Sequence, residues 1–463
     1  MRSRLLQQNR HLKTKTKEII IIVLLLMFGL CLRVYNLSSE NIYIDENYNI
    51  ELVKNSTSGI INITSQDAHP PLYYLFFKYW TDIFGNTEFA IRIPSVIFSL
   101  FTLLFTYLLA KKMFNKKVAS FSLFSLSIFM PDILFAQYAR QYALVGLFSI
   151  ISFYCLYLIV KENKKIYSLF FIISNILMIY THLIGFAVIA LEILLIYYYK
   201  KNKKFTIPFL IIFLFYIPWI KYAINQIDYM LKYFSYKYFS INITIFFTYI
   251  SIIFFCFIIS IMIKYDFVRK AKLLSENKNV FVFVSIMFII LYYVSLNILT
   301  TITLVRATIF LFPLIIIFFC KRVLSFKNGY VLLLLFLIVS IIGLFMLYNV
   351  NSNSNWRSTS KYLEKEVKED TVIFDKGIGY NMFSYYSNKS ISYITTNEKL
   401  YNGTIIVIPK EEIYEKINDS VWLVTWRNWR TKEYYKNVLD EKYTLQFEKN
   451  FSDINIYKYK KGE

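Results

Sequence analysis

The residues best suited to chemistry lie in one long polar stretch between two hydrophobic runs near the amino terminus. Asp45-Glu46 comes soon after the first run, and Asp67-Ala68-His69-Pro70-Pro71 follows later in the same stretch. Loops between neighbouring elements are usually short, and long ones are disproportionately functional. The pattern therefore predicts a functional loop over residues 37–89 that carries two groups of acids and a histidine.

A carboxylate held at a membrane surface could act as a general base and take a proton from an attacking hydroxyl group. Asp45 and Glu46 are candidates for this role, and the following residues, Asn47 to Val53, are typical of a short helix. The same acids would also suit the first turn of that helix, where the helix dipole favours negative charge. The residue types alone leave both interpretations open.

His69 is followed by two prolines, which restrict the backbone ahead of an aromatic segment. Such a histidine could bind a substrate oxygen, cap the next helix or ligate a metal. The chain has only three histidines, so a metal would need Asp45, Glu46 or Asp67 as oxygen ligands. These alternatives stay open, and the metal content is not determined by the sequence.

Three basic residues near the predicted outer face could bind a phosphate, namely Arg140, Arg306 and Lys78. An arginine near the end of a membrane span more often reaches toward lipid headgroups. Glu192 lies inside a hydrophobic run, where an acid is costly and often functional. A single buried acid of this kind can also serve only to bond a neighbouring helix.

The composition identifies a polytopic membrane protein, because 57% of the 463 residues are hydrophobic. The net charge is +22, and the lysines cluster in short segments between hydrophobic runs. That distribution follows the positive-inside rule and gives no indication of a nucleic-acid partner. The four cysteines have no paired or metal-like spacing. The basic segment 1–18 leads into a first helix that we expect to be retained.

Eleven hydrophobic runs have the length and composition of membrane spans. They are 19–36, 90–110, 118–135, 142–160, 166–181, 183–199, 205–224, 242–263, 279–297, 303–320 and 330–349. The fifth and sixth come from dividing one long run at Thr181-His182. With the amino terminus in the cytoplasm, the inner segments contain 25 Lys and Arg and the outer loops contain 5. The charge bias supports this orientation and the division at Thr181-His182, and it places loop 37–89 outside the cytoplasm.

After residue 350 the composition becomes that of a soluble domain. Helices are predicted at 361–367 and 411–417, and strands at 371–375, 404–409 and 420–425. Alternating strands and helices favour a small α/β fold. We therefore expect two domains, a membrane domain over 1–350 and an extracytoplasmic α/β domain over 351–463.

Seven short motifs occur in an order known from one group of membrane enzymes. They are Asp45-Glu46, His69 to Tyr73, Phe89 to Ser95, Gln137 to Tyr142, Tyr180 to His182, Arg306 with Pro313, and Asn355 to Arg357. In these motifs the chain resembles the GT-C membrane glycosyltransferases, in the branch of the protein O-mannosyltransferases and the lipid A aminoarabinose transferase (glycosyltransferase family 39). It departs at Tyr138 and Ala307, where the branch usually has an acid and a tyrosine.

The resemblance implies an inverting glycosyltransferase that moves a sugar from a polyprenyl phosphate to an acceptor hydroxyl on the outer membrane face. Asp45 would be the base, with Glu46 and His69 orienting it or the acceptor. Arg140, with Arg306 or Lys78, would hold the leaving phosphate. Further residues would form the pocket for sugar or acceptor: Asp67, Tyr73, Tyr138 and His182.

This chemistry requires no cofactor, because a lipid phosphate leaves as a stable anion, although a divalent cation would be compatible with it. The expected partners are the lipid-linked sugar donor, membrane lipids and a glycan, lipid or protein acceptor. We expect an integral plasma membrane protein. The alternative is a transporter or flippase of a lipid-linked sugar, which predicts ionisable groups near the bilayer midplane. This chain instead has its candidate acids and His69 in an outer loop, and one clear acid, Glu192, within a span.

Overall fold

A computed structural model of the chain describes residues 2–162, 165–200, 206–237, 308–325, 329–349, 354–368, 370–375, 377–387, 389–395, 410–417, 419–426 and 430–462. The chain divides into two compact units. The first comprises Met1–Leu37 and Asn55–Val350, and the second comprises Ser38–Lys54 and Asn351–Glu463. The division at residue 350 coincides with the predicted domain boundary. Ser38–Lys54, which the prediction assigned to the membrane domain, lies in the second unit.

The first part of the chain is helical. In order, its helices are α1 Arg2–Val34, α2 Ile44–Val53, α3 Thr57–Thr64, α4 Leu72–Phe84, α5 Glu88–Met113, α6 Lys116–Ser127, α7 Met130–Ala136, α8 Tyr142–Glu162, α9 Tyr167–Thr181, α10 Gly185–Lys200, α11 Thr206–Lys237, α12 Phe312–Val323 and α13 Gly329–Asn349. Only α2 belongs to the second unit. The prediction of a short helix after Asp45 and of an aromatic helix after the paired prolines is confirmed.

Several helices are long and apolar enough to cross a membrane. Within the described residues these are Glu88–Met113, Tyr142–Glu162, Thr206–Asp228 and Gly329–Asn349. The predicted spans 242–263 and 279–297, and the start of 303–320, lie outside the described residues, so the total of eleven stays a prediction. The chain is an integral membrane protein with an α-helical membrane region and a small carboxy-terminal sheet.

Two of the predicted spans have a different form in the structure. The span predicted over 118–135 is a bent pair, because α6 and α7 meet at an angle of 61°. Helix α11 continues past the predicted end at residue 224 to Lys237. Its buried Gln226 donates a hydrogen bond to the Thr64 carbonyl oxygen at 2.8 Å, which ties the extension to the end of α3.

The break between α9 and α10 is confirmed. Helix α9 ends at Thr181, and His182 follows with extended backbone angles. The Ile184 amide then donates to Nδ1 of His182 at 3.1 Å, so the histidine side chain itself stabilises the turn into α10. A continuous helix through this point would lack that side-chain bond.

The bend between α6 and α7 is held by a buried ion pair. Arg33, at the end of α1, is fully buried and lies 2.6 Å from Oδ2 of Asp132, in the first turn of α7. Its other N–H groups donate to the Ser99 hydroxyl and to the carbonyl oxygens of Gly29, Ser127 and Leu126. All five guanidinium donors are therefore used. Two of these acceptors, the carbonyl groups of Leu126 and Ser127, lie at the end of α6.

Close packing makes this ion pair possible. The Ser99 hydroxyl donates to the same Asp132 oxygen at 2.6 Å, so α1, α5 and α7 meet at one carboxylate. A Cβ atom at Gly29 would lie 2.8 Å from a methyl group of Leu103, so α1 and α5 approach closely here. Because a buried charge without a partner is costly, the three helices depend on each other here.

The carboxy-terminal part of the second unit is an α/β fold, as predicted. Its described elements are α14 Trp356–Glu366, β1 Thr371–Phe374, α15 Gly377–Tyr386, β2 Tyr393–Thr395, α16 Lys410–Lys416, β3 Ser420–Trp426, α17 Arg430–Asp440, β4 Tyr443–Phe451 and β5 Ile454–Lys461. The strand order is β2-β1-β3-β5-β4. Strand β1 pairs in parallel with β2 and β3, whereas β5 is antiparallel to both β3 and β4.

The strands predicted at 371–375 and 420–425 and the helices at 361–367 and 411–417 are confirmed within one to five residues at their ends. The strand predicted at 404–409 lies outside the described residues. One face of the sheet is apolar and packs on α16 and α17, with Ile373, Leu423 and Tyr435 fully buried. The edge strand β4 is mostly exposed on both faces, so it lacks the alternating pattern by which strands are recognised.

Replacing Arg33 with methionine should lower the free energy of unfolding by about 3–5 kcal/mol, because Asp132 is then left buried without its partner. The double variant Arg33→Met/Asp132→Leu should be more stable than Arg33→Met alone, since neither charge remains. Thermal unfolding of the purified proteins in detergent measures both. If the double variant were destabilised by the sum of the two single changes, the ion pair would not couple α1 to α7.

Candidate functional site

The two acids of the first loop lie on α2. Asp45 and Glu46 both occupy its first turn, where the helix dipole favours negative charge. Glu46 is fully buried, and one of its carboxylate oxygens accepts a hydrogen bond from the Tyr43 backbone amide at 3.0 Å. Tyr43 is the residue that caps the helix, so this bond is one half of a capping box. Glu46 therefore fixes the start of α2.

Asp45 has a different environment from Glu46 because its side chain is only partly buried. A residue in the first turn of a rigidly capped helix has little freedom of position, which suits a group that must accept a proton at a defined place. The helical interpretation and the catalytic interpretation of these acids are therefore compatible. In this structure the capping role belongs to Glu46, and the partly exposed carboxylate belongs to Asp45.

A second group of predicted residues meets in the first unit. The rings of His69 and His182 lie 4.8 Å apart, and the ring of Tyr142 lies 5.9 Å from that of His182. Tyr138 stacks on Tyr142 at 6.4 Å with nearly parallel planes. We call these four residues the histidine-aromatic cluster. It joins segments that are far apart in sequence, namely the loop before α4, the turn before α8 and the break after α9.

Arg140 lies in the same turn as Tyr138 and Tyr142 and is buried. Its guanidinium carbon is 6.0 Å from the ring centre of Tyr74, on α4. A buried guanidinium on an aromatic face is stabilised by the ring quadrupole and keeps a planar set of donors suited to an oxyanion. Tyr74 in turn contacts the ring of Tyr73 edge to face, with ring centres 6.0 Å apart.

The hydrogen bond from the Ile184 amide to His182 determines which ring nitrogen of this histidine carries the proton. Because Nδ1 accepts from the Ile184 amide, the proton of the neutral ring is on Nε2. His182 therefore presents an N–H donor at Nε2. A metal ion needs an unprotonated ring nitrogen, and in this state neither nitrogen of His182 is free to bind one. No group of three or more metal-binding side chains occurs among the residues that the structure describes.

Motif residues around the cluster hold the backbone in place. The Ser95 hydroxyl on α5 donates to the Tyr138 carbonyl oxygen at 2.8 Å. The Gln137 side chain donates to the carbonyl oxygens of Arg33 and Tyr35, at the end of α1. Buried Arg92 donates to the Leu37 carbonyl oxygen at 2.8 Å. These side chains therefore fix the path of the turn that carries Arg140 and the exit of α1.

The remaining predicted residues have varied surroundings. Lys78 lies on α4 and pairs with Asp82, one turn along the helix, at 3.6 Å. Asp67 accepts from the following backbone amide at 2.6 Å, which shapes the turn before His69. Glu192 is fully buried on α10, and the Ser152 hydroxyl donates to its carboxylate. Arg306 lies outside the described residues.

Two aromatic residues of the site were not singled out from the sequence. Tyr142 ends one motif and Tyr74 directly follows another, but their neighbours gave no reason to separate them from the many other tyrosines in the chain. Their role becomes visible through His182 and Arg140, which lie next to them in space. A tyrosine next to a motif arginine or histidine was the only signal available in the sequence.

The sequence profile of the dolichyl-phosphate-mannose-protein mannosyltransferase family matches residues 68–222. This segment contains His69, Arg140 and His182, and thus the whole histidine-aromatic cluster. A search of curated proteins found no match.

The fold has counterparts among solved structures. ArnT from Cupriavidus metallidurans, solved in the apo state and bound to undecaprenyl phosphate, superimposes with a TM-score of 0.54 and 10% sequence identity in each case. The match covers 94% of this chain and 97% of ArnT. The oligosaccharyltransferase of Archaeoglobus fulgidus, in complex with Zn and sulfate, gives a TM-score of 0.50 at 12% identity, covering 94% of this chain and 72% of that chain.

These matches confirm the resemblance to GT-C membrane glycosyltransferases of the mannosyltransferase type. The family profile supports it in sequence over the segment that forms the cluster. The structural matches support it in fold over most of the chain.

His182 accepts a hydrogen bond at Nδ1, which stabilises the turn into α10, and presents an N–H donor at Nε2. Substitution can test the first role separately from the second. Asparagine keeps an acceptor near the position of Nδ1, so His182→Asn should leave stability nearly unchanged, whereas His182→Ala should lower the free energy of unfolding by about 1 kcal/mol. Thermal unfolding in detergent tests this difference. Equal destabilisation by the two variants would show that the bond to the Ile184 amide does not stabilise the turn.

Proposed function

We propose that this protein transfers a sugar from a polyprenyl phosphate to a hydroxyl group of an acceptor, with inversion at the anomeric carbon, on the extracytoplasmic face of the membrane. The observation that carries the proposal is the buried Arg140 beside Tyr74, within the segment that matches the mannosyltransferase profile. The undecaprenyl phosphate bound to ArnT, whose fold is similar, supports the choice of donor.

Arg140 is proposed to bind the phosphate of the donor. The guanidinium can bond two phosphoryl oxygens at once, and burial strengthens this attraction relative to water. During transfer the bond between the anomeric carbon and the phosphate oxygen breaks, and the phosphate leaves with the electron pair. A fixed cation next to that oxygen stabilises the developing charge, which lowers the barrier. Lys78 and Arg306 remain proposed as further phosphate ligands.

Asp45 is proposed to be the general base. The acceptor oxygen attacks the anomeric carbon as its proton passes to the Asp45 carboxylate, and a single displacement inverts the configuration. Glu46 would support this step by capping α2, through its bond to the Tyr43 amide. His69 and His182, with Asp67, Tyr73 and Tyr138, are proposed to contact the sugar or the acceptor.

The extracytoplasmic location is proposed from the charge bias, in which 25 basic residues fall in the inner segments and 5 in the outer loops. The proposed acceptor is a hydroxyl group on a glycan, lipid or protein, and the transferred sugar is a hexose or a pentose. Because Arg140 can stabilise the leaving phosphate, transfer is expected to continue in the presence of EDTA.

Asp45→Asn should reduce the rate of transfer at least about 100-fold, because the amide cannot accept the proton. The assay offers purified protein a panel of radiolabelled polyprenyl-phosphate sugars together with membrane extract as the source of acceptor. Glu51→Gln, on the same helix and paired with Lys54, is the matched control and should keep full activity. Full activity of Asp45→Asn would show that Asp45 is not the base and that it only contributes negative charge to the first turn of α2.

The same assay separates the proposed enzyme from a flippase. An enzyme cleaves at least one donor of the panel. If the wild-type protein bound these lipids and cleaved none of them, the flippase reading would replace the proposed reaction.

Arg140→Met should weaken binding of undecaprenyl phosphate at least about tenfold, because a charge-assisted pair of hydrogen bonds is lost. Binding of the lipid to protein in detergent can be measured by native mass spectrometry. Arg322→Met, at the end of α12 on the predicted cytoplasmic side, is the control and should bind like the wild type. Unchanged binding by Arg140→Met would remove Arg140 from the proposed phosphate site.

A further inference from the structure

The segment that leads into α2 is held by two residues of the carboxy-terminal part of the chain. Arg357, in the first turn of α14, donates from Nη2 to the Ser38 carbonyl oxygen at 2.9 Å and from Nη1 to the Ser39 carbonyl oxygen at 3.2 Å. Its backbone amide donates to Oδ1 of Asn41 at 3.1 Å. One arginine therefore bonds three of the four residues from 38 to 41.

Tyr386, at the end of α15, holds the next residue. Its hydroxyl oxygen accepts a hydrogen bond from the Ile42 backbone amide at 2.8 Å. The Arg357 guanidinium lies 5.7 Å from the ring centre of Tyr386, so the two side chains also contact each other. We call Arg357 and Tyr386 the clamp.

The clamp is itself anchored in α14 and the sheet domain. Asn355 caps α14 by accepting a bond from the Ser358 amide at 3.2 Å, and Trp356 is almost completely buried. The motif Asn355-Trp356-Arg357 thus contains a helix cap, a buried anchor and a side chain that reaches the first loop. Nothing in this motif's sequence indicates a contact with residues more than 300 positions earlier in the chain.

Helix α2 needs such support. It has only 10 residues, and a helix of this length is marginal in water without tertiary contacts. Its capping residue, Tyr43, directly follows the Ile42 amide that Tyr386 binds. Helix α15 also packs against α2. The path of residues 38–42 therefore determines where α2 begins and in which direction its first turn, with Asp45, is oriented.

We propose that Arg357 and Tyr386 are positioning residues for Asp45, and that a function of the carboxy-terminal domain is to hold the catalytic helix of the first loop in place. This inference rests on the proposed function of Asp45 as the base. The clamp touches no reacting atom in this role. It acts on the rate of transfer by restricting the position of one carboxylate, since small displacements of a catalytic group are costly.

Hydrogen-deuterium exchange tests the clamp without any substrate. Tyr386→Phe removes only the hydroxyl that binds the Ile42 amide, and Arg357→Lys keeps the charge but cannot bond two carbonyl groups as the guanidinium does. In both variants the amides of residues 42–50 should exchange at least about fivefold faster than in the wild type. The matched control is Tyr414→Phe, which removes a hydroxyl bonded to the Val438 carbonyl elsewhere in the same domain.

The control should leave exchange in residues 42–50 unchanged. Exchange in residues 42–50 that is equally slow in the wild type and both clamp variants would overturn the proposal. Acceleration by Tyr414→Phe as well would also overturn it, because α2 would then respond to general loosening of the domain.

Kinetics tests whether the clamp acts through Asp45. With the donor that the wild type uses best in the transfer panel, Tyr386→Phe should lower kcat about threefold to tenfold, the factor expected for one lost hydrogen bond. The KM for the donor should stay the same, because the proposed phosphate ligand Arg140 is not altered. In an Asp45→Asn background, the same change should have no further effect on the residual rate.

An equal loss with and without the Asp45 carboxylate would overturn the positioning role and leave the clamp as a structural contact only. Failure of the proposed function would give a different result from failure of the positioning role, because the wild type would then transfer no sugar from any donor of the panel. The exchange experiment would still report whether Arg357 and Tyr386 hold α2.

Discussion

The buried ion pair between Arg33 and Asp132 joins the helices at the start of the first unit. All five donors of the buried Arg33 guanidinium are used, by one carboxylate, one hydroxyl and three carbonyl groups. These acceptors belong to α1, α5, α6 and α7. At the bend between α6 and α7, Arg33 binds the carbonyl oxygens of Leu126 and Ser127. The direction of α7 is therefore set by a residue on another helix.

This bend precedes the turn that carries Arg140. Helix α7 leads directly into the turn with Tyr138 and Arg140, and Gln137 and Ser95 fix that turn from either side. Arg140 thereby reaches Tyr74, and Tyr142 reaches His182. Several motif residues that the resemblance drew attention to are consequently frame residues. Arg92, Ser95 and Gln137 donate hydrogen bonds to backbone carbonyl oxygens of other segments.

In the second unit, too, neighbouring residues differ in what their side chains contact. Glu46 caps α2, and its neighbour Asp45 keeps a partly exposed carboxylate. The residues before α2 are bonded by Arg357 and Tyr386, so a loop near the amino terminus and a domain at the carboxy terminus form one compact unit.

The sequence by itself determined the class of the protein, the soluble character of the last hundred or so residues and the resemblance to GT-C glycosyltransferases. These properties follow from local patterns, such as apolar runs long enough for a membrane and turn residues at a helix break. The pattern even located the break at His182, because the charge bias of later loops required it. The bend between α6 and α7 was not predicted, although Pro131, in the first turn of α7, was a local signal for a helix start there.

Only the tertiary structure decided which residues meet. His69 and His182 are separated by more than a hundred residues, and Arg357 by more than three hundred from the loop that it binds. Such contacts depend on how several helices pack, and no local pattern encodes them. The same reason explains why Ser38–Lys54 belongs with the carboxy-terminal domain. Its composition is that of any polar loop, and the hydrogen bonds that hold it come from side chains that the first hundred residues do not contain.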